Sequence, residues 1–265
     1  MRHLMNRQIL TILIGVLFTS NILGQVQNDV KEVLANKDLA SFISFADTLS
    51  NKEKRITCHC TIFRDLTSDF KEGIFYITKS FPDTKNPAIS SVYTFRVRLL
   101  ADDKTIIYYE LGEKNYKKIK KKEWVTYYDT LAFYSNDSLL EMLQQSFIKS
   151  FGAELNKNEL FIDDFVYGEA CGIIGEDPAG KVLIDKLVSK KNKEELFRIL
   201  GSTNFEKQVY ALDGLWQLKE NGFTYSTEEL KVIKNVLNKK GTIFYCHGCP
   251  HSWQNVIIAT YKFKF

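Results

Sequence analysis

The chain has 265 residues, 45% of them hydrophobic, and a formal net charge of +4. That length and apolar content suit one large domain or two small ones with a proper core. Arg2 and Arg7, which have no acid beside them, carry two of the four net charges, so the remainder is nearly neutral and gives no reason to expect nucleic acid as a partner.

The start, MRHLMNRQILTILIGVLFTSNILGQ, has a basic head, an apolar run from Ile9 to Phe18 and a polar stretch ending at Gly24. This reads as a secretory signal peptide over 1–24, because a spanning helix needs about 20 apolar residues. The exported remainder, periplasmic or secreted, is expected to have no transmembrane segment and to be soluble. In an oxidising compartment cysteines tend to form bridges, and five cysteines leave at least one outside any internal pair.

NDVKEVLANKDLASFISFAD reads as a helix. Period-two runs rich in aromatic and β-branched residues follow: RITCHCTIF, GIFYITKS, SVYTFRVRLL, TIIYYEL and WVTYYDTLAFY. They predict an antiparallel sheet of about five strands with the helix against one face, filling 25–135. SFPDTKNPAIS, with Pro82 and Pro87, reads as a loop; ADDK and LGEKN read as turns. Cys58 and Cys60 alternate with His59 and share a face with Ile56 and Ile62, as core thiols would; a bridge across one residue would be strained.

From Asn136 the period becomes helical. In NDSLLEMLQQSFIKSFG, Leu139, Leu143, Phe147 and Phe151 fall about a turn apart, with Gly152 as a stop. GKVLIDKLV and KEELFRILG follow, then two helices whose starts read as capping boxes, Thr203 with Glu206 and Ser226 with Glu229. The apolar faces are Phe205, Val209, Leu212, Leu215 and Leu218, then Leu230, Ile233 and Leu237. Residues 136–265 are thus expected to be an all-helical part ending in a Cys/His-rich segment, the whole being of the α+β class.

Lys181 to Gly241 resembles a HEAT-like repeat pair, which implies a scaffold or binding surface. YGEACGIIGEDP, STNFEKQVYALDGL and NKKGTIFYCHGC together resemble uncharacterised exported bacterial proteins, a resemblance that implies export and brings no activity with it.

The densest chemistry lies in YCHGCPHSW, residues 245–253. A thioredoxin-like C-x-x-C needs strands and a helix after it, and only 16 residues follow Cys249. A zinc site needs four ligands. Cys246, Cys249 and His251 offer three, and the other Cys/His cluster, at 58–60, lies in the other half. All three histidines outside the leader, His59, His247 and His251, sit within two residues of a cysteine. A structural bridge is the favoured reading: from Cys171 to Cys246 or Cys249, closing a loop of about 75 residues worth about 4 kcal/mol, or a clip between Cys246 and Cys249.

GEDPAGKV, Gly175 to Val182, has phosphate-loop spacing but lacks the hydroxyl after its lysine and carries Glu176 and Asp177 where phosphate would sit. A turn followed by a helix start is the simpler reading. EKNYKKIKKKEW sets Lys114, Lys117, Lys118, Lys120, Lys121 and Lys122 around Tyr116 and Trp124. It could hold an anionic surface such as lipid headgroups or polysaccharide, although lysine-rich hairpins more often guard a sheet edge. Asp163, Asp164 and Glu169 offer carboxylates with no separation to test for glycoside hydrolysis. Asn136-Asp137-Ser138 matches a glycosylation acceptor, which matters only in a eukaryotic host. The reading is a non-enzymatic binding or structural module that needs no cofactor and meets another protein or an envelope component. The alternative is a metal-binding or thiol-redox protein using Cys246, Cys249 and neighbouring histidines.

Overall fold

A computed structural model describes residues 24–52, 55–82, 90–120 and 123–265. Most of the leader therefore lies outside the described residues. The single N-terminal helix expected from the sequence is two: α1 over 24–35 and α2, Leu39–Lys52. Lys37 breaks the run with φ 58°. Asp38 then starts α2, its carboxylate accepting from Ser41 N at 2.7 Å, which satisfies an N–H that the first turn leaves orphaned.

Five strands follow in meander order: β1 (Ile56–Asp65), β2 (Lys71–Pro82), β3 (Ser90–Ala101), β4 (Ile106–Lys120) and β5 (Glu123–Ser135). Neighbours this close in sequence can pair only antiparallel, as expected. ADDK forms the turn between β3 and β4, but LGEKN lies inside β4. Its turn-forming residues are overridden by pairing with β3 and β5, a tertiary effect that local propensity does not see.

Beyond Asn136 come α3 (Asp137–Phe151), a 3₁₀ turn (Lys157–Glu159), β6 (Tyr167–Cys171), α4 (Ala179–Ser189), α5 (Lys193–Leu200), α6 (Phe205–Glu220), α7 (Thr227–Leu237), β7 (Thr242–Gly248), β8 (His251–Asn255) and α8 (Ile257–Thr260). Asn136 caps α3 by accepting from Leu139 N, and Gly152 ends it at φ 69°. Leu143, Phe147 and Phe151 form its buried stripe.

The expectation of an all-helical HEAT-like C-terminal part is corrected: β6, β7 and β8 form a second sheet, with β6 parallel to β7 and β7 antiparallel to β8. A parallel pair needs a long crossover, and α4–α7 supply it. Helix α6 is the hub, with α4, α5, α7, β6 and β7 all packed on it. It is buried on nearly every side, polar Glu206, Gln208 and Asp213 included, whereas helices of a solenoid pair keep one face wet.

The chain divides into two compact units. One gathers the residues up to His59 with Tyr76–Val97 and Lys104–Tyr134; the other gathers Cys60–Phe75, Arg98–Asp103 and Ser135–Phe265. In the second unit Gly241 bridges to Arg64. Its φ is 117°, and a Cβ there would stand 2.3 Å from the Phe63 carbonyl oxygen, so only glycine lets β7 begin this close to β1. Among the described residues no helix is long and apolar enough to cross a membrane.

Candidate functional site

Sheet register decides how the C-terminal cysteines meet. In the β6–β7 pair Gly168 faces Cys246 and Cys171 faces Gly248, with an irregularity between Glu169 and Cys171 where Ala170 takes φ 49°. Gly168 allows the close approach, since a Cβ on it would lie 2.1 Å from the Cys246 carbonyl oxygen. Tyr210 of α6 holds the strand from behind. Its hydroxyl donates to Gly168 O and accepts from Gly168 N, both at 3.0 Å.

Cys171 and Cys246 consequently stand at disulfide distance, their Cα atoms 5.8 Å apart and 75 residues apart in sequence. Of the arrangements left open by the sequence, this is the Cys171–Cys246 pair. Cys249 is exposed at the β7–β8 turn, its thiol 3.9 Å from Gly172 O. His251 pairs directly with Cys246 across the β7–β8 ladder. The ligand atoms of Cys171, Cys246 and His251 all lie within 4.8 Å of one another.

The other sequence candidates fall elsewhere. Cys58 and Cys60 are half-buried on β1, with His59 exposed between them. Burial, aided by Asp47, pushes the Cys58 thiol up to about 11, away from reactive thiolate character. His247 is exposed on β7. In GEDPAGKV, Asp177 accepts from Ala170 N at 2.8 Å and Lys181 pairs with Asp185, so two of its three charged groups are spent on the protein itself. Asp163 is half-buried, while Asp164 and Glu169 are exposed.

Lys117, Lys118 and Lys120 are exposed at the far end of β4, and Lys121 and Lys122 lie outside the described residues. Around them are apolar side chains open to solvent: Tyr116 is 60% exposed, Ile119 56% and Trp124 62%, with Val125 and Tyr127 beside them. Asn115 donates to Asp129 at 2.7 Å across the ribbon, and Lys118 stands 5.8 Å from the Trp124 ring centre. Val92 and Tyr93, at the start of β3, are also exposed.

Two features had no motif to announce them. The first is a cavity of about 450 Å³ walled by α4, α5 and α6, with Phe165, Leu183, Ile184 and Ile199 on its apolar side. At its edge Glu159 accepts from Ser202 Oγ (2.5 Å), Thr203 N (3.0 Å) and Lys207 Nζ (2.7 Å). Burial works against that carboxylate's charge, but Lys207 and Ser202 outweigh it and hold Glu159 below its usual range.

The second is a buried ionic cluster. Arg64 donates from Nε to Glu72 at 2.8 Å and from Nη1 to Glu206 at 2.6 Å, all three side chains being fully buried. Glu206 also accepts from Phe244 N at 3.1 Å, and Glu72 from Phe161 N at 3.0 Å. Lys239 donates to Gln208 Oε1 at 2.8 Å and lies against the Phe151 and Phe205 rings. Burial first, then Arg64, lower its amine to about 7, against the opposing pull of Glu72, Asp65 and Glu206. The expected Thr203–Glu206 capping box is therefore replaced. Asn204 caps α6 through Lys207 N, because Glu206 is drawn inward by Arg64; the Ser226–Glu229 box forms as expected.

No protein-family model matches the chain, and neither does any curated protein or solved structure.

Proposed function

We propose that the chain is an exported, non-enzymatic binding module of the cell envelope or exterior, and that it holds an anionic lipid surface through the β4–β5 ribbon. The leader-like start, the likeness of three segments to exported bacterial proteins and the Cys171–Cys246 pair support export. One observation carries the choice of surface: Tyr116, Ile119, Trp124, Val125 and Tyr127 are exposed among Lys117, Lys118 and Lys120.

A ribbon that merely guarded a sheet edge would rely on its lysines. Bare apolar side chains between them would undo that protection, and soluble surfaces rarely gather so many without a cover. Trp and Tyr settle at headgroup depth, and each lysine beside an anionic leaflet contributes about 1 kcal/mol. Polysaccharide would engage the lysines but leave Ile119 and Val125 in water.

Co-sedimentation of the full chain with phosphatidylglycerol vesicles tests this. Binding is expected that weakens with salt, vanishes on phosphatidylcholine, and drops about tenfold for Trp124→Ala and on the order of a hundredfold for Lys117→Gln/Lys118→Gln/Lys120→Gln together. Equal binding to the two vesicle types, or a triple variant that binds like the parent, would overturn it.

A further inference from the structure

We propose that Cys171, Cys246, Cys249 and His251 form a redox-gated zinc site: closed to metal while Cys171 and Cys246 are joined, and a Cys₃His tetrahedron once a dithiol has opened that bond. The site is independent of the ribbon surface and needs nothing from it.

Ligand placement is the first support. Three of the four ligand atoms already lie within 4.8 Å of one another. A tetrahedral zinc with Zn–S near 2.3 Å and Zn–N near 2.0–2.1 Å separates its ligand atoms by about 3.5–3.8 Å, which lies within the spread of these three. Cys246 and His251 are brought to the same place by their pairing in the β7–β8 ladder, a relation independent of the sulfur–sulfur contact.

The fourth ligand has its own tether. Gly172 N donates to Gly248 O at 2.9 Å, which ties the residue after Cys171 to the residue before Cys249. The Cys249 thiol lies 3.9 Å from the Gly172 carbonyl. Gly248 turns the chain there with φ 65°, and the two-residue step Cys249–Pro250 leads into β8.

Access and balance also fit. Cys246 is fully buried, Cys171 half-buried, and Cys249 and His251 exposed, so one side of the set opens to water. An external dithiol reduces the Cys171–Cys246 bond. It loses two electrons and two protons to become a cyclic disulfide, and two protein thiols form. Zinc then displaces the protons of three thiols to solvent and takes neutral His251 as its fourth ligand. Reoxidation by a protein or small-molecule disulfide removes two thiolates and releases the ion, which two remaining ligands cannot retain.

The test uses the full chain with cobalt(II) and zinc, before and after reduction by a phosphine or dithiol, with circular dichroism confirming that the reduced protein stays folded. The reduced protein should bind one cobalt with the intense visible and thiolate-to-metal bands of a tetrahedral thiolate site, and zinc should displace it. The oxidised protein should show neither band. Cys249→Ser and His251→Ala should each weaken zinc at least tenfold, while Cys58→Ser/Cys60→Ser should leave affinity unchanged. A folded, reduced protein giving only weak octahedral cobalt absorption, or Cys249→Ser and His251→Ala binding zinc like the parent, would overturn the assignment.

Discussion

Arg64 and Glu206 meet at 2.6 Å with both side chains fully buried, although 142 residues separate them in sequence. A strand and a helix start are joined by charge in a place closed to bulk solvent. Losing one partner of a buried ion pair typically costs about 3–5 kcal/mol, and Glu72, still paired with Arg64, sets the loss of Glu206 toward the lower end. Glu206→Ala should therefore lower the urea midpoint sharply. Arg64→Met added to it should cost less than the sum of the two single changes, because Glu206 is no longer there to be stranded and Glu72 alone loses its guanidinium.

Lys239 should make stability pH-dependent on the alkaline side. Its folded value of about 7 lies below the usual lysine value, so between them the unfolded chain binds a proton that the folded chain does not. Stability then rises with pH across that interval, and below about 7 the amine imposes its full desolvation cost. Lys239→Met should be more stable than the parent at pH 6 in paired denaturation curves. That advantage should shrink steadily by pH 9.5; a constant difference would contradict a depressed amine.

Glu159 should act in the opposite range. Its folded value is depressed, so its contribution is complete above the unfolded carboxylate value and is lost as pH falls through the folded one. Charge-assisted bonds from Ser202, Thr203 and Lys207 lead us to expect Glu159→Gln to cost about 1–2 kcal/mol at pH 7. The difference between the two proteins should shrink as pH falls below the ordinary carboxylate range, as a pH series of thermal unfolding would show.

The Cys171–Cys246 pair closes a 75-residue stretch. On the chain-entropy account, Cys171→Ser/Cys246→Ser should cost about 4 kcal/mol. Intact mass should rise by two hydrogens on reduction of the parent and stay constant for the double variant. Alkylation without reductant should reach exposed Cys249.

What the sequence made legible follows the range of each interaction. Alternation is local, so the five-stranded sheet could be read from runs such as SVYTFRVRLL; the stop at Gly152 and the cap at Ser226 were equally local. The second sheet was hidden because β6 has only five residues and its partner lies beyond four helices. The ionic cluster left one faint trace. Arg64 continues the inward series from Ile62 on β1, a charge on an apolar face that demands a partner, yet nothing local names Glu206. The cysteine pair was among the alternatives the sequence left open, and register alone selected it.

The parallel pairing of β6 with β7 constrains how the molecule can be made. On a ribosome or during export Cys171 emerges well before Cys246, and at that moment Cys58 and Cys60 are the only other thiols ahead of it. A cell producing this chain must therefore hold Cys171 reduced until synthesis is nearly finished, or supply an isomerase to undo premature links.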